Sequence, residues 1–318
     1  MVDINGYEIS KAFTGGEPVN AIYSFGVKVW PVTGPVEFGG LKFTALEAGT
    51  IGMSNIGTNE TTTKPYISYS KDGVNWIEWD YTPIEVDVND VIYFKGINDS
   101  IGSSSKNYSI FNLTGKFDVS GNIMSLLYGD DYEGKLDLSD KSYCFYRLFR
   151  YCNVVDASKL IIPATTLSNS RSCYSYMFDG CKLLTEAPAL PATTLSDFCY
   201  SFMFYGCKSL TEAPALPSTT LEMGCYEYMF DGCKLLTSAP ALPATTLVER
   251  CYSHMFIDCN NLNYVKANFL TSPGDTYTRL WLYLVKSSGT FVVNKNATWP
   301  SSIVRGDTTV PAGWTIKK

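Results

Sequence analysis

Ten cysteines and a single histidine are the residues of this 318-residue chain with the widest chemical reach. The cysteines stand in five pairs, 144/152, 173/181, 199/207, 225/233 and 251/259, each pair eight residues apart. An even cysteine count suits disulfides, and clustered thiolates suit a metal. The spacing favours a third role. Eight residues are about two turns of a helix with one face inward, and cysteine is a favoured small buried residue. A C-x7-C pair without histidine also departs from zinc-ligand spacing. Free, stacked core thiols are expected, with disulfides as the alternative and no metal. His254 is accompanied by no nucleophile motif, phosphate-binding glycine loop or paired-carboxylate signature. The expectation is a non-enzymatic chain with no catalytic residue and no cofactor.

The cysteines belong to a repeated sentence. CYSYMFDGCKLLTEAPALPATTL (173–195) returns at 199–221 and 225–247, then as CYSHMFIDCNNL at 251–262. The period is 26, the signature of a solenoid whose units bury their apolar faces only against one another. A weaker fifth unit starts at Cys144. Within a unit, Cys199, Met203 and Cys207 recur at i, i+4 and i+8, which predicts one short helix facing inward. Thr194 and Asp197 have capping-box spacing at its start, and Gly206 stands at its end. Pro214 and Pro217 then favour an extended segment. Residues identical in all four units are expected inside. Ser201 and Tyr205, whose equivalents drift, are expected outside. Tyr176, Phe202, Tyr228 and His254 form a column at the border of the helical face. Together with Tyr205 they are the candidate binding residues, able to stack on sugars or anchor a protein, or else to seal the seam between units. The Lys182/Lys208/Lys234 and Glu186/Glu212/Ser238 columns read as solvated edges.

Units of the form C-Y-x-x-M-F-x-G-C-x-x-L-T-x-A-P-x-L-P-A-T-T-L resemble BspA-like leucine-rich repeats. These occur in surface proteins of gut Bacteroidales and in the virions of their phages. The resemblance covers roughly 136–270. It implies a leucine-rich-repeat-like α/β solenoid with a role in adhesion or recognition of a host cell-surface protein or polysaccharide. The segment ending in Val29-Trp30-Pro31 is similar to small N-terminal elements of phage virion proteins. That likeness implies docking to other virion proteins through Tyr23, Phe25, Val29 and Trp30; a plain edge hairpin is the alternative.

The whole chain is expected to be α+β and multidomain. Its parts are an N-terminal docking segment (1–34), a β-sandwich-like domain (35–120), the solenoid (121–270) and a C-terminal β cap (271–318). Alternation in 41–46 and a Lys71-Asp72-Gly73 turn between two apolar runs carry the sandwich. Ser70-Lys-Asp72-Gly73-Val-Asn-Trp76 is similar to the Asp-box of sialidases but lacks one residue between Asp and Gly and occurs once. A net charge of −6 argues against nucleic-acid partners. No run reaches the length of a membrane helix, so no membrane insertion is expected. MVDINGYEIS lacks the basic and apolar regions of a signal peptide. The expected setting is a virion assembled in the host cytoplasm, the alternative a bacterial surface adhesin. A homo-oligomer is compatible with either.

Overall fold

The computed structural model describes residues 38–57, 64–270, 272–299 and 310–318, together with short strands between residues 2 and 30. It divides into two units, 1–38 and 39–318. In the first, three antiparallel strand pairs follow one another: Val2–Ile4 with Tyr7–Ile9, Phe13–Thr14 with Glu17–Pro18, and Ile22–Ser24 with Val27–Trp30.

The second unit begins with two sheets. Lys42–Ala45 lies between Val91–Gly96 and Phe117–Asn122, and the order continues outward to Ile67–Ser70 and Ile77–Glu78. Gly49–Ile56 pairs with Asn107–Thr114 in the other sheet, with Ile84–Val86 and Gly102–Ser104 at its edges. Alternate residues of Lys42–Ala45 are buried, as the period-two pattern requires. Phe43, Phe94 and Phe117 of the first sheet meet Phe111 of the second in one aromatic core. The ring centroids of Phe43 and Phe111 are 4.9 Å apart, and those of Phe94 and Phe111 5.4 Å.

The repeat does not form the expected helix. Residues 143–152, 172–181, 198–207, 224–233, 250–259 and 275–284 form flat ribbons of successive tight turns, apart from a single helical turn, Asp275–Thr278, opening the last. In 198–207, alternate amides bond locally. Ser201 N–H donates to Phe198 O (3.1 Å), Met203 N–H to Tyr200 O (3.2 Å) and Tyr205 N–H to Phe202 O (3.1 Å). The amides between them bond to the following ribbon. Tyr200 N–H donates to Cys225 O (3.1 Å), Phe202 N–H to Glu227 O (2.9 Å) and Phe204 N–H to Met229 O (2.9 Å). Every fourth residue has positive φ: Phe198 (55°), Phe202 (58°) and Gly206 (69°). An α-helix would use all these amides within itself. The spacing i, i+4, i+8 fits a ribbon of period four as well as a helix of period 3.6, and that ambiguity misled the sequence reading.

The expected α+β class is therefore corrected. The chain is 27% strand and 4% helix, with several sheets, none closed or solenoid-like. Stacked ribbons take the place of the α/β solenoid. Their interior is a set of columns. Cys199, Met203 and Cys207 and their equivalents are fully buried, and all ten cysteines are free. The second cysteine of each pair donates its thiol to a carbonyl of the preceding layer, Cys152 to Phe111 O of the sheet at 3.0 Å, Cys181 to Phe149 O at 3.0 Å and Cys207 to Phe178 O at 3.2 Å. Two sealed aromatic columns flank the sulfurs. Phe178, Phe204 and Phe230 stack at 5.6 Å, and Tyr174, Tyr200 and Tyr226 at 5.6 and 6.0 Å. Phe149 extends the phenylalanine column to Phe111, so ribbons and sheets share one core.

The 26-residue spacing continues past Leu270. Tyr252 N–H donates to Tyr277 O and Phe256 N–H to Trp281 O, so 275–284 is bonded as a further ribbon, with Trp281 one repeat on from Met255. On the other side of the repeat Tyr264–Ala267, Gly289–Val293 and Trp314–Lys317 form a parallel sheet, with Tyr264 opposite Thr290 and Thr290 opposite Thr315. Trp314 is buried and donates to Lys286 O, while Trp299 donates to Leu270 O and stacks on Phe269.

The left-handed positions can be tested with alanine. A Cβ on Gly224 would stand 2.4 Å from the Phe198 ring, whereas one on Gly206 meets nothing nearer than 3.9 Å. Gly206→Ala should cost about 1 kcal/mol of backbone strain, and Gly224→Ala distinctly more. Urea unfolding of both variants measures the difference; equal costs would refute the packing of Phe198. The ten thiols should also resist a thiol reagent in the native protein and react on unfolding. Burial raises Cys199 to about 12 and pushes Cys233 up strongly as well.

Candidate recognition surface

Tyr176, Phe202, Tyr228 and His254 occupy one left-handed position in four successive ribbons, with φ of 59°, 58°, 56° and 59°. Bulky side chains avoid this region, at a cost of about 1–2 kcal/mol each. Two gains offset it. Each amide reaches the following ribbon, from Tyr176 N–H to Ser201 O at 3.0 Å through His254 N–H to Arg279 O at 2.8 Å. The rings also stack almost parallel, with centroids 4.4, 4.4 and 4.3 Å apart. A favourable aromatic pair contributes about 0.5–1.5 kcal/mol.

The stacking settles what this column can offer. Each ring face is covered by the next ring, so a sugar ring has no inner face to lie on. What remains half-exposed is a row of ring edges. Among the described residues the hydroxyls of Tyr176 and Tyr228 have no hydrogen-bond partner, yet they are not among the sealed, unpartnered atoms, as those of Tyr174 and Tyr200 are. They therefore reach solvent. Burial raises the pKa of both, which keeps them protonated donors. The Nδ1 of His254 lies 2.8 Å from Ser253 Oγ, and its Nε2 makes no hydrogen bond among the described residues. Burial, with Arg279 and Arg250 nearby, lowers the pKa of His254 and keeps the imidazole neutral. Ser253 itself is 2% exposed, so the pair orients the ring and offers no accessible nucleophile.

Arginines close both ends of the column. The Arg147 guanidinium lies 4.8 Å from the ring centres of Tyr146 and Tyr176 and donates to the Tyr108 hydroxyl. At the other end Arg250 and Arg279 flank His254 in a cleft of about 650 Å³. Arg250 is paired, donating from Nε (2.9 Å) and Nη2 (2.7 Å) to the buried Glu227. The Arg279 guanidinium makes no ion pair or hydrogen bond among the described residues. None of these arginines was singled out in the sequence. The signal for Arg279 was the repeat itself, which places it one period after Ser253.

Other expected positions fall differently. Tyr205 is 39% exposed, but Ser201, expected outside, is 3% exposed because neighbouring ribbons close over it. Its equivalents Ser175 and Glu227 are equally buried. Tyr23 lies on Ile22–Ser24, and Val29 and Trp30 on Val27–Trp30; Phe25 is outside the described residues. Asp72 of the Asp-box-like segment accepts from Val74 N–H (2.9 Å), Asn75 N–H (2.7 Å) and Ser70 Oγ (2.8 Å), which makes it the anchor of its turn. Those bonds hold its carboxyl far below the usual range. Among the described residues no cluster of three or more histidine, cysteine or acidic side chains could hold a metal.

Asp231 supplies a pH prediction. Burial, reinforced by the nearby Asp258 charge, raises it to about 7. The folded protein then keeps a proton that the unfolded chain gives up near its ordinary value of 3.8. Stability should fall as pH rises between those values and level off above them. Asp231→Asn should flatten that slope, which thermal melts across the range would show; an unchanged slope would contradict the assignment.

No family model, curated protein or solved structure matches this chain, so its function is read from its own residues and geometry.

Proposed function

We propose that the chain is a non-enzymatic structural protein of a bacteriophage particle, a head or tail fibre or appendage. On this reading the N-terminal unit docks to other virion proteins, and the ribbon stack faces a host cell-surface protein or polysaccharide. The observation carrying it is the division of labour within the repeat. Cysteine, methionine and phenylalanine recur unchanged in the sealed columns. The column at Asp179, Tyr205, Asp231 and Ile257, buried at Asp179 and exposed at Tyr205, changes at every step, as does the half-exposed Tyr176–His254 row. A scaffold held constant beneath variable side chains suits recognition better than turnover. The resemblance of the repeat letters to BspA-like proteins of phages and bacterial surfaces supports the same reading, although the fold that resemblance implied is not the one formed.

Mass spectrometry of purified particles tests the virion assignment. The protein is expected as a stoichiometric component. Its absence from particles, with recovery instead on a bacterial surface, would replace this reading with that of a bacterial adhesin.

A further inference from the structure

We propose that the ring-edge row binds an anionic glycan, with a carboxylate or similar group held in the cleft beside His254 and the chain running along the stack toward Arg147. The inference rests on the recognition reading above and names the ligand class for that surface. Four observations carry it. First, the ring faces are consumed by one another, which removes the usual mode of sugar stacking and leaves edges. Second, what the edges and ends present toward solvent is rich in donors: two tyrosine hydroxyls and arginines at both ends, joined by the imidazole Nε2 in the tautomer whose Nδ1 accepts from Ser253 Oγ. Such a row suits a ligand rich in acceptor oxygens.

Third, two of the acids beside the row are already matched. Glu227 pairs with Arg250, and Asp179 with Arg150 at 2.6 Å. Arg279, exposed and without an ion pair among the described residues, is a cation able to meet an anion. Fourth, the cleft is roomy enough for a sugar unit, and Glu249 and Asp275 also line it. Those two carboxylates disfavour a densely charged polyanion and favour a chain with widely spaced anionic groups. Arg279 acts here as a binding residue, Ser253 as a positioning residue for the imidazole.

The experiment uses the full chain with three probes: a hyaluronan oligosaccharide, whose carboxylates fall on alternate sugars, a dextran oligosaccharide of matched length, and chondroitin sulfate. His254 is the only histidine, so its imidazole resonance reports on the cleft without assignment of the whole spectrum. Hyaluronan should shift that resonance and dextran should leave it in place. Arg279→Ala should weaken hyaluronan binding about tenfold, the loss of one charge-assisted contact, with Arg279→Lys recovering part of it. Tyr228→Phe keeps the stacked ring, removes the hydroxyl, and should weaken binding several-fold. Chondroitin sulfate, more densely charged, should bind more weakly than hyaluronan; tighter binding would contradict the preference for widely spaced anionic groups.

A hyaluronan titration that leaves the His254 resonance unmoved would overturn the proposal. So would undiminished binding by both Arg279→Ala and Tyr228→Phe. Because Arg279 is exposed and unpaired, its removal leaves folding intact. Absence of the protein from virions would refute the particle assignment but not the glycan site, so the two failures are distinguishable.

Discussion

Every backbone hydrogen bond described between the turn ribbons runs in one sense, from an N–H of one ribbon to a C=O of the next. The rest of the architecture follows from this. An amide that reaches across is lost to any helix within its own ribbon, so the repeat must be flat. The residue that makes room for the crossing amide adopts the left-handed region at every fourth position. Aligned peptide groups also make the stack polar, with carbonyls directed toward its first ribbon and amides toward its last. The carbonyl end is closed by the β-sheets, whose Ile101 and Gly102 amides donate to Cys144 O and whose Phe111 amide donates to Leu148 O. The sheets are therefore the lid of the stack as well as its neighbour.

The same constraint explains the composition of the core. Ribbons bonded this closely superimpose equivalent residues, so a side chain must pack on a copy of itself. Flat rings do so well, which accounts for columns of tyrosine and phenylalanine. Cysteine is small enough to repeat, and its thiol can donate to a carbonyl of an earlier ribbon, as Cys207 does to Phe178 O. Charges repeat badly. Where an acid enters a buried column it is matched by an arginine, Arg150 for Asp179 and Arg250 for Glu227. The unmatched Asp231 is the one whose pKa rises furthest among them.

Much of this was legible in the letters. The period, the buried identity of Cys199, Met203 and Cys207, and the column from Tyr176 to His254 all follow from comparing copies within one chain. The secondary structure did not follow, because apolar positions four apart satisfy both a helix and a period-four ribbon. A sign of the difference was present. Cys199 and Tyr200 are both invariant and both buried, as are Met203 and Phe204. Adjacent paired burial at period four widens the apolar face beyond one narrow helical stripe. The ribbon at 275–284 was hidden because Trp281 replaces methionine and the cysteines are gone, so only backbone bonding reveals it. For the candidate surface, the ring column was visible in the sequence. Its arginine ends were not singled out, since the other copies hold different residues at those positions, although the period does place Arg279 one repeat after Ser253.

The recognition proposed for this chain depends on a backbone that fixes ring edges in a straight row, and the row exists only if the amides cross between ribbons. Hydrogen-bond scalar couplings measure that directly. In deuterated protein, a long-range correlation from the Phe202 amide nitrogen should appear at the carbonyl carbon of Glu227, with the Tyr228 amide likewise coupled to Ser253. A correlation from Phe202 to the carbonyl of Phe198 instead would mean that the repeat is helical, and would contradict the account.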